Sequence, residues 1–410
     1  MGETIKQRDY MFDAFRGVLM LSIPLSHFTK QSANIYQAMY AGHGFTQDSL
    51  CGFVYITINV FVMQAFMFLS GYFSKKPEKA RATAFKGVLW PYLVFTTIDL
   101  IAAWAFDVPI GHYFSYLTPP FALWFLLALF FYRFFLPVIA QFRYALTFSI
   151  VVFFIAGLLP FGQFMALGRV FSYFTFFMIG FYCSKERLDW VRQLKKKKPV
   201  LVLLAAALVY VSYWLTQHGP RLSWFLLKQS CDHFGMAWYD DIKWRAVVFV
   251  LACGWIVLMV NILPSKKNIL CHVGTNTMPV YIFHLGIRFV IAKMGVMVGL
   301  VSSLIAAWFA VISLLHMKHK NWTISTVLTV LSIAGIVVMA KTHCITPLIG
   351  VCPGNIVLFY IVTFGSALIA GFSFSAPFWA KLYDLVTEGP ARDSILTKWM
   401  VMKKEDPEEK

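Results

Sequence analysis

Long apolar segments recur along almost the whole chain, and most of them approach the roughly 20 residues that an α-helix needs to cross a bilayer. The pattern predicts twelve transmembrane helices, at residues 10–28, 51–73, 87–106, 121–139, 145–160, 169–183, 199–216, 245–263, 276–293, 296–316, 322–340 and 355–373. Segments 145–160 and 169–183 are short, and two segments lie close together around Met294, so ten or eleven spans also fit the pattern. We therefore predict an all-α integral membrane protein, a polytopic bundle of about 10–12 transmembrane helices.

The composition agrees with a membrane protein. Hydrophobic residues make up 59% of the 410 residues and charged residues only 13%, whereas an average soluble protein has about twice that charged fraction. The first apolar segment contains both acidic and basic residues and is followed by no small-residue cleavage site, which argues against a cleavable signal peptide. We expect one membrane domain at 1–378, a C-terminal tail at 379–410 and no second globular domain.

Lysine and arginine are distributed unevenly between the loops. They are concentrated at residues 74–86, 184–198, 265–268 and 317–320 and after Trp379, whereas residues 31–50, 107–120 and 161–168 contain none. The positive-inside rule then predicts that the basic loops and both termini are cytoplasmic. Attraction of these loops to anionic membrane lipids explains the net charge of +17. The sequence shows no stripe of basic residues on a soluble face, which is the pattern that would indicate nucleic-acid binding.

The first predicted helix carries three ionisable residues, Asp13, Arg16 and His27, among apolar neighbours. The spacing places Arg16 and His27 within roughly 20° of one helix face and about 16 Å apart along the axis. Because charges that face lipid are costly, this face is expected to line a protein interior, a water-filled cavity or a reaction path. Pro24 cannot donate a hydrogen bond to the carbonyl of Met20, so a kink is expected just below His27.

Other polar residues also fall inside predicted membrane segments, and they are Asp99, Arg133, Arg169, His284 and Arg288. Such residues are candidates for a functional site, but ion pairs and hydrogen bonds between helices explain them about equally well. The ring of Trp124 can stack on a sugar or an adenine, although core packing is the simpler interpretation. Residues 217–243 mix aromatic and acidic side chains, which suits carbohydrate contact or a wet interfacial helix.

The seven cysteines show no paired spacing typical of metal ligands. The chain also has no phosphate-binding loop, dinucleotide-binding fingerprint or zinc-protease motif. Cys344 and Cys352 share one predicted external loop, where an oxidising compartment allows a disulfide between them.

Several segments resemble the membrane-bound acyltransferase family 3. The family pattern of an arginine and a histidine separated by ten residues corresponds to Arg16 and His27. Further matches follow in the same order as in the family, and they are FMFLSGYFSKK at 66–76, ALWFLLALFFYR at 122–133, GRVFSYFTFFMIGFYCSKE at 168–186 and VGTNTMPVYIFH at 273–284. Together they are most similar to the sugar O-acetylase branch, which includes fucose O-acetylases of polysaccharide synthesis. Helices additional to the usual family core are expected between residues 294 and 340.

The resemblance implies an O-acyltransferase that moves an acyl group, most often acetyl, from cytosolic acyl-CoA to a hydroxyl of a cell-surface or lipid-linked glycan. Acetyl-CoA is then a co-substrate, no bound cofactor is expected, and the enzyme is a multi-pass protein of the bacterial cytoplasmic membrane. A neutral imidazole suits proton removal from a sugar hydroxyl at neutral pH. We expect His27 to be the general base or to handle the acyl group, Arg16 to bind the donor or stabilise charge, and Asp13 to orient Arg16 or to act directly.

Six other residues are candidates for binding the donor or the acceptor, and they are Arg81, Lys86, Trp124, Arg133, Arg169 and His284. Arg81 and Lys86 follow the second helix, where many family members carry two arginines three residues apart, so a cationic role is expected without that paired geometry. The structural alternative is that His27 and His284 form only interhelical hydrogen bonds and that Arg16 extends to the inner membrane interface.

A secondary transporter or exporter of a polysaccharide precursor is the alternative function, because the same charges can line a translocation path. Such a protein is expected to contain an inverted repeat, and residues 1–200 and 200–410 show no convincing similarity to each other. A structural partner of a polysaccharide synthase, without activity of its own, is a third hypothesis.

Overall fold

The computed structural model describes residues 9–40, 49–105, 115–319, 322–341 and 346–388. These residues are mostly α-helical and form no β-strand, which confirms the predicted all-α class. The predicted disulfide involves Cys344, which lies outside the described residues, whereas its proposed partner Cys352 is described and buried.

Every predicted membrane segment overlaps one or two helices of the described residues, and further short helices lie between or after these segments. The helices are α1 (Met11–Met39), α2 (Leu50–Asn59), α3 (Val62–Tyr72), α4 (Pro77–Ala84), α5 (Trp90–Ala105), α6 (Trp124–Ile139), α7 (Ala145–Ile155), α8 (Leu167–Tyr182), α9 (Lys185–Val191), α10 (Lys198–His218), α11 (Trp238–Ile262), α12 (Ile269–Thr275), α13 (Thr277–Met294), α14 (Val296–His319), α15 (Trp322–Lys341), α16 (Ile356–Phe374) and α17 (Pro377–Glu388). A π-helical turn at Phe85–Leu89 joins α4 to α5.

Within the described part of the chain, seven helices or helix pairs are long and apolar enough to cross a membrane. They are Leu50–Tyr72, Pro77–Trp104, Phe164–Tyr182, Lys198–His218, Trp238–Ile262, Val296–Met317 and Ile356–Phe374. Shorter apolar helices lie in α6, α7 and α15. The other two predicted segments are α1 and α13, which contain the buried ionisable residues Asp13 and His284. The fold is therefore that of a polytopic membrane protein.

Helix α1 is longer than the sequence pattern predicts. It continues to Met39 instead of ending at residue 28, because the polar residues after the apolar segment include no proline or glycine that would end it. The hydroxyl of Tyr36 donates a hydrogen bond to the carbonyl of Gly354 at 2.9 Å, so the added turns hold the segment that precedes α16. The helix also continues through Pro24 without interruption.

The second predicted segment is divided into two helices at Val60 and Phe61. Polar side chains accompany the break, where the regular hydrogen bonds of a helix are interrupted. The amide of Gln64 donates to the carbonyl of Asn59 at 3.2 Å, and the amide of Asn59 donates to the carbonyl of Tyr55 at 2.8 Å. The Gln64 amide thus replaces the lost helical hydrogen bond to the Asn59 carbonyl, and such replacement allows a membrane helix to be broken inside protein.

Glycines set the closest approaches between helices. A Cβ atom added at Gly71 would lie 1.9 Å from the carbonyl oxygen of Phe177, and one at Gly180 would meet the backbone of α3 equally closely. A Cβ atom at Gly274 would lie 1.7 Å from the carbonyl oxygen of Asp13, so α12 crosses α1 directly at Asp13. These crossings agree with the role of small residues in membrane bundles.

The segment 217–243 is less exposed than its composition suggests, because α11 begins at Trp238 rather than at residue 245. One carboxylate oxygen of Asp241 accepts from Arg245 Nε at 2.7 Å, and the other accepts from Trp224 Nε1 at 2.7 Å. All three side chains are buried. The carbohydrate-contact interpretation is therefore wrong for Trp224 and Asp241, which attach the loop to α11.

The predicted C-terminal tail begins with the ordered helix α17. The ring of Tyr383 stacks on that of Phe95 with 5.8 Å between centroids, and Trp90 Nε1 donates to the carbonyl of Thr387 at 2.8 Å. Residues up to 388 thus pack on the membrane bundle, while 389–410 lie outside the described residues.

Candidate active site

His27 of α1 and His284 of α13 meet in the interior of the bundle. His284 Nδ1 lies 2.9 Å from the carbonyl oxygen of Val280. A carbonyl can only accept, so a neutral His284 carries its proton on Nδ1. Its Nε2 is then an acceptor, and it lies 3.1 Å from His27 Nδ1. A neutral His27 therefore donates from Nδ1 and holds its lone pair on Nε2.

A cavity of about 60 Å³ adjoins His27. Its walls come from α1, from both sides of the α2–α3 break, from α6, α8 and α13, and from the loop after α10. Asn59 lines this cavity at the break, and its amide nitrogen lies 3.4 Å from the hydroxyl of Ser26, which also lines it. The interrupted membrane helix is thus placed directly beside the candidate base.

Trp124 and Arg169 form another wall of the same cavity. The guanidinium carbon of Arg169 lies 4.6 Å from the centroid of the Trp124 ring, within the range of a cation–π interaction. The Trp124 ring also contacts that of Tyr173 at 5.1 Å. Arg169 Nε is buried and has no hydrogen-bond partner in the described part of the chain. Both residues, predicted from sequence as binding candidates, therefore lie near His27.

Arg16 and Arg133 line a second cavity, of about 260 Å³. Arg16 Nη1 lies 3.6 Å from Asp13 Oδ1, and its guanidinium carbon lies 4.4 Å from the centroid of the Phe73 ring. Asp13 is buried, so its carboxylate and the Phe73 ring hold the guanidinium group at the cavity wall. Arg133 brings a second cationic group from α6 to the same cavity, which suits an anionic ligand.

The cavities adjoin each other in series along α1. The residues that line both the His27 cavity and the Arg16 cavity are Ile23, Met63 and Tyr281. Arg16 also lines a third cavity of about 500 Å³, which Asp9 and Arg192 border at the N-terminal end of α1. The face of α1 that carries Arg16 and His27 therefore borders these cavities between the two residues.

Arg81 and Lys86 stand apart from this arrangement. Both side chains are exposed, and neither is among the residues that line the three cavities described above. The guanidinium carbon of Arg81 lies 4.8 Å from the centroid of the Phe134 ring, so it covers the end of α6. Lys86 lies in the π-helical turn beside Gly87, which lines the Arg16 cavity.

Sequence reasoning missed three residues that the fold brings to the site. Tyr281 lies one turn before His284 and Lys30 one turn after His27, and this helical spacing was the available signal. Lys228 comes from the loop between α10 and α11 and carries no sequence signal of its own. Burial lowers the pKa of the Lys228 ammonium group, and the nearby charge of Arg169 lowers it further.

These features define a polytopic membrane protein with an imidazole pair in the interior of the bundle, beside cation-lined cavities. The sequence model of acyltransferase family 3, which describes an acyltransferase domain, matches residues 9–341. The chain belongs to this family and is therefore a membrane acyltransferase. The matched region includes both histidines and every candidate site residue. No curated protein and no solved structure matches the chain.

Proposed function

We propose that this membrane acyltransferase is an O-acetyltransferase of the bacterial cytoplasmic membrane. It transfers acetyl from cytosolic acetyl-CoA to a hydroxyl of a cell-surface or lipid-linked glycan. The observation that carries the proposal is the hydrogen-bond arrangement at His27, whose Nδ1–H is engaged by His284 while Nε2 retains its lone pair. The similarity of five segments to the sugar O-acetylase branch supports the glycan acceptor.

In the proposed reaction, the acceptor hydroxyl gives its proton to His27 Nε2 while its oxygen attacks the thioester carbonyl carbon. The carbon–sulfur bond then breaks, and the departing thiolate takes the proton from the His27 imidazolium, which regenerates the neutral base. His284 continues to accept from His27 Nδ1 throughout and stabilises the imidazolium that forms transiently.

The cavities suggest where the donor binds. Coenzyme A carries phosphate groups, and arginine binds phosphate through a planar set of donors. Arg16 and Arg133 face one cavity, and this cavity shares lining residues with the smaller one beside His27. We expect the phosphates to bind near the two arginines, with the thioester extending past Tyr281 toward His27.

The test uses the full chain purified in detergent, acetyl-CoA labelled in its acetyl group, and a glycan fraction from the membranes of the source cells. Wild type is expected to release coenzyme A and to label the glycan, and His27→Ala is expected to lose both activities. Lys76→Gln, which removes an exposed cation at the start of α4, is the control. Label transfer by the His27→Ala variant at the wild-type rate contradicts the proposal. Uptake of a glycan precursor by protein-containing vesicles without acetyl-CoA favours a transporter.

A further inference from the structure

Four basic side chains surround the side of the imidazole pair that lies away from Arg16. We name them the outer cation cluster, and they are Lys30, Arg169, Lys228 and Arg288. Lys30 interacts electrostatically with the other three, and His27 interacts with Lys30, Arg169 and Arg288. By the distribution of loop charges, this end of the bundle faces outward.

The outer cation cluster is assembled from four separate parts of the fold. Lys30 follows His27 by one turn of α1, and Arg288 follows His284 by one turn of α13. Arg169 lies in the first turn of α8, and Lys228 lies in the loop before α11. A Cβ atom added at Gly168 would lie 2.9 Å from the carbonyl oxygen of Lys228, so this loop rests directly on the start of α8.

Within the described part of the chain, acidic residues do not neutralise these charges. Among the described residues, no carboxylate lies within 4.0 Å of any nitrogen of the four side chains. Asp99 attracts Arg288 from a greater distance, and its buried Oδ2 has no hydrogen-bond partner in the described part of the chain. Counted over the described residues, the cluster therefore carries an excess of positive charge at a partly buried site.

Aromatic rings hold three of the cations in place. Lys30 Nζ lies 5.7 Å from the centroid of the Tyr55 ring, and the Arg288 guanidinium carbon lies 4.3 Å from that of Phe121. Arg169 lies over Trp124, as described above. Rings stabilise a cation without neutralising it, so the cluster remains able to bind an anion. Since gathering unpaired charges in a low-dielectric interior is costly, a bound anion is the partner that this arrangement lacks.

We propose that the outer cation cluster binds an anionic group of the acceptor, either a phosphate or a carboxylate, beside the hydroxyl that is acylated. The acceptor is then an acidic or phosphate-linked glycan and not a neutral one. This inference rests on the proposed function. Two distinct anion-binding sites then lie along α1. Arg16 and Arg133 bind the donor, and the outer cation cluster binds the acceptor.

A binding experiment tests the site independently of catalysis. Inorganic pyrophosphate and glucuronate are titrated against the full chain in detergent, with the unfolding temperature as the readout, and they distinguish a phosphate site from a carboxylate site. Every protein in this experiment also carries Arg16→Gln, because pyrophosphate would otherwise bind the proposed donor site as well. At least one anion is expected to raise the unfolding temperature of this background and of its His27→Ala variant, but not of its Lys30→Gln/Arg288→Gln variant. Arg221→Gln, which removes an exposed basic residue of the same loop region, is the matched control. Equal stabilisation of all variants overturns the proposal.

A transfer experiment tests the same inference in the working enzyme. The product that wild type labels is expected to be retained by an anion-exchange column. Arg288→Gln is expected to raise the KM for this acceptor about ten- to hundredfold, with the KM for acetyl-CoA unchanged and with partial rescue by Arg288→Lys. A labelled neutral product, or a rise in the KM for acetyl-CoA instead, overturns the inference while the acyltransferase function stands. Absence of any label transfer contradicts the proposed function itself.

Discussion

His284 Nε2 lies 3.1 Å from His27 Nδ1, although 257 residues separate the two histidines in the chain. The contact joins the first helix to α13. It also connects the backbone carbonyl of Val280, through His284, to Nδ1 of His27. The candidate base is therefore oriented by one hydrogen bond from α13, and the bond between His284 and Val280 fixes which partner donates.

Replacement of His284 tests this arrangement. His284→Ala leaves His27 Nδ1 without its acceptor, so the imidazole loses its defined tautomer, and we expect kcat to fall about ten- to hundredfold. Removal of the base itself by His27→Ala is expected to cost more, about 10²- to 10⁴-fold. His284→Gln is the control, because its amide oxygen can still accept from Nδ1 and should preserve most of the activity. An unchanged kcat in His284→Ala, measured by release of coenzyme A, contradicts the assigned role.

Replacement of Arg16 tests the donor site. Arg16→Gln removes a charged hydrogen-bond donor from the cavity wall, and such bonds contribute about 1.5–3 kcal/mol. We expect the KM for acetyl-CoA to rise at least about tenfold, with less effect on the KM for the acceptor. Asp13→Asn should have a smaller effect in the same direction, because the Arg16–Asp13 separation of 3.6 Å is long for a hydrogen bond. A selective change in the acceptor KM would contradict this assignment.

The crossing of α3 and α8 predicts a difference between two glycines. Gly71→Ala places a methyl group 1.9 Å from the carbonyl oxygen of Phe177, and we expect a loss of about 1–3 kcal/mol in the free energy of unfolding. Gly365→Ala adds the same methyl group in α16 where no atom lies within 4 Å. It is expected to keep or slightly raise stability. Thermal unfolding of both variants in detergent compares them, and equal stability would show that the crossing tolerates a side chain.

The buried ion pair between Asp241 and Arg245 of α11 predicts coupling between two substitutions. Asp241→Asn leaves the buried Arg245 without its carboxylate, and Arg245→Met leaves the buried Asp241 without its guanidinium. Each substitution is expected to lower the free energy of unfolding by about 3–5 kcal/mol. The double variant is expected to lose less than the sum of the two, because neither unpaired charge remains. Unfolding measurements on all four proteins give the coupling energy. Additive losses would mean that the pair does not hold the loop.

The sequence predicts most of the helices, and it points to the face of α1 that the structure lines with cavities, for physical reasons. Apolar length identifies membrane helices because lipid leaves few alternatives, and charge inside such a helix singled out Arg16 and His27. The break at Val60 was not predicted, because no proline or glycine marks it and its hydrogen bonds come from amide side chains nearby. Lys228 was not predicted either, since its position depends on how a loop rests on α8, and a single sequence carries no record of that contact.

The cavity beside His27, at about 60 Å³, has room for only a few water molecules. A thioester delivered there meets the imidazole of His27 but little competing solvent, so hydrolysis of acetyl-CoA is expected to be slow until an acceptor hydroxyl arrives. Enlarging the space, for example with Met63→Ala, should increase wasteful hydrolysis relative to transfer. The volume of this cavity would then determine what fraction of the acetyl donor is transferred to the acceptor and what fraction is lost to water.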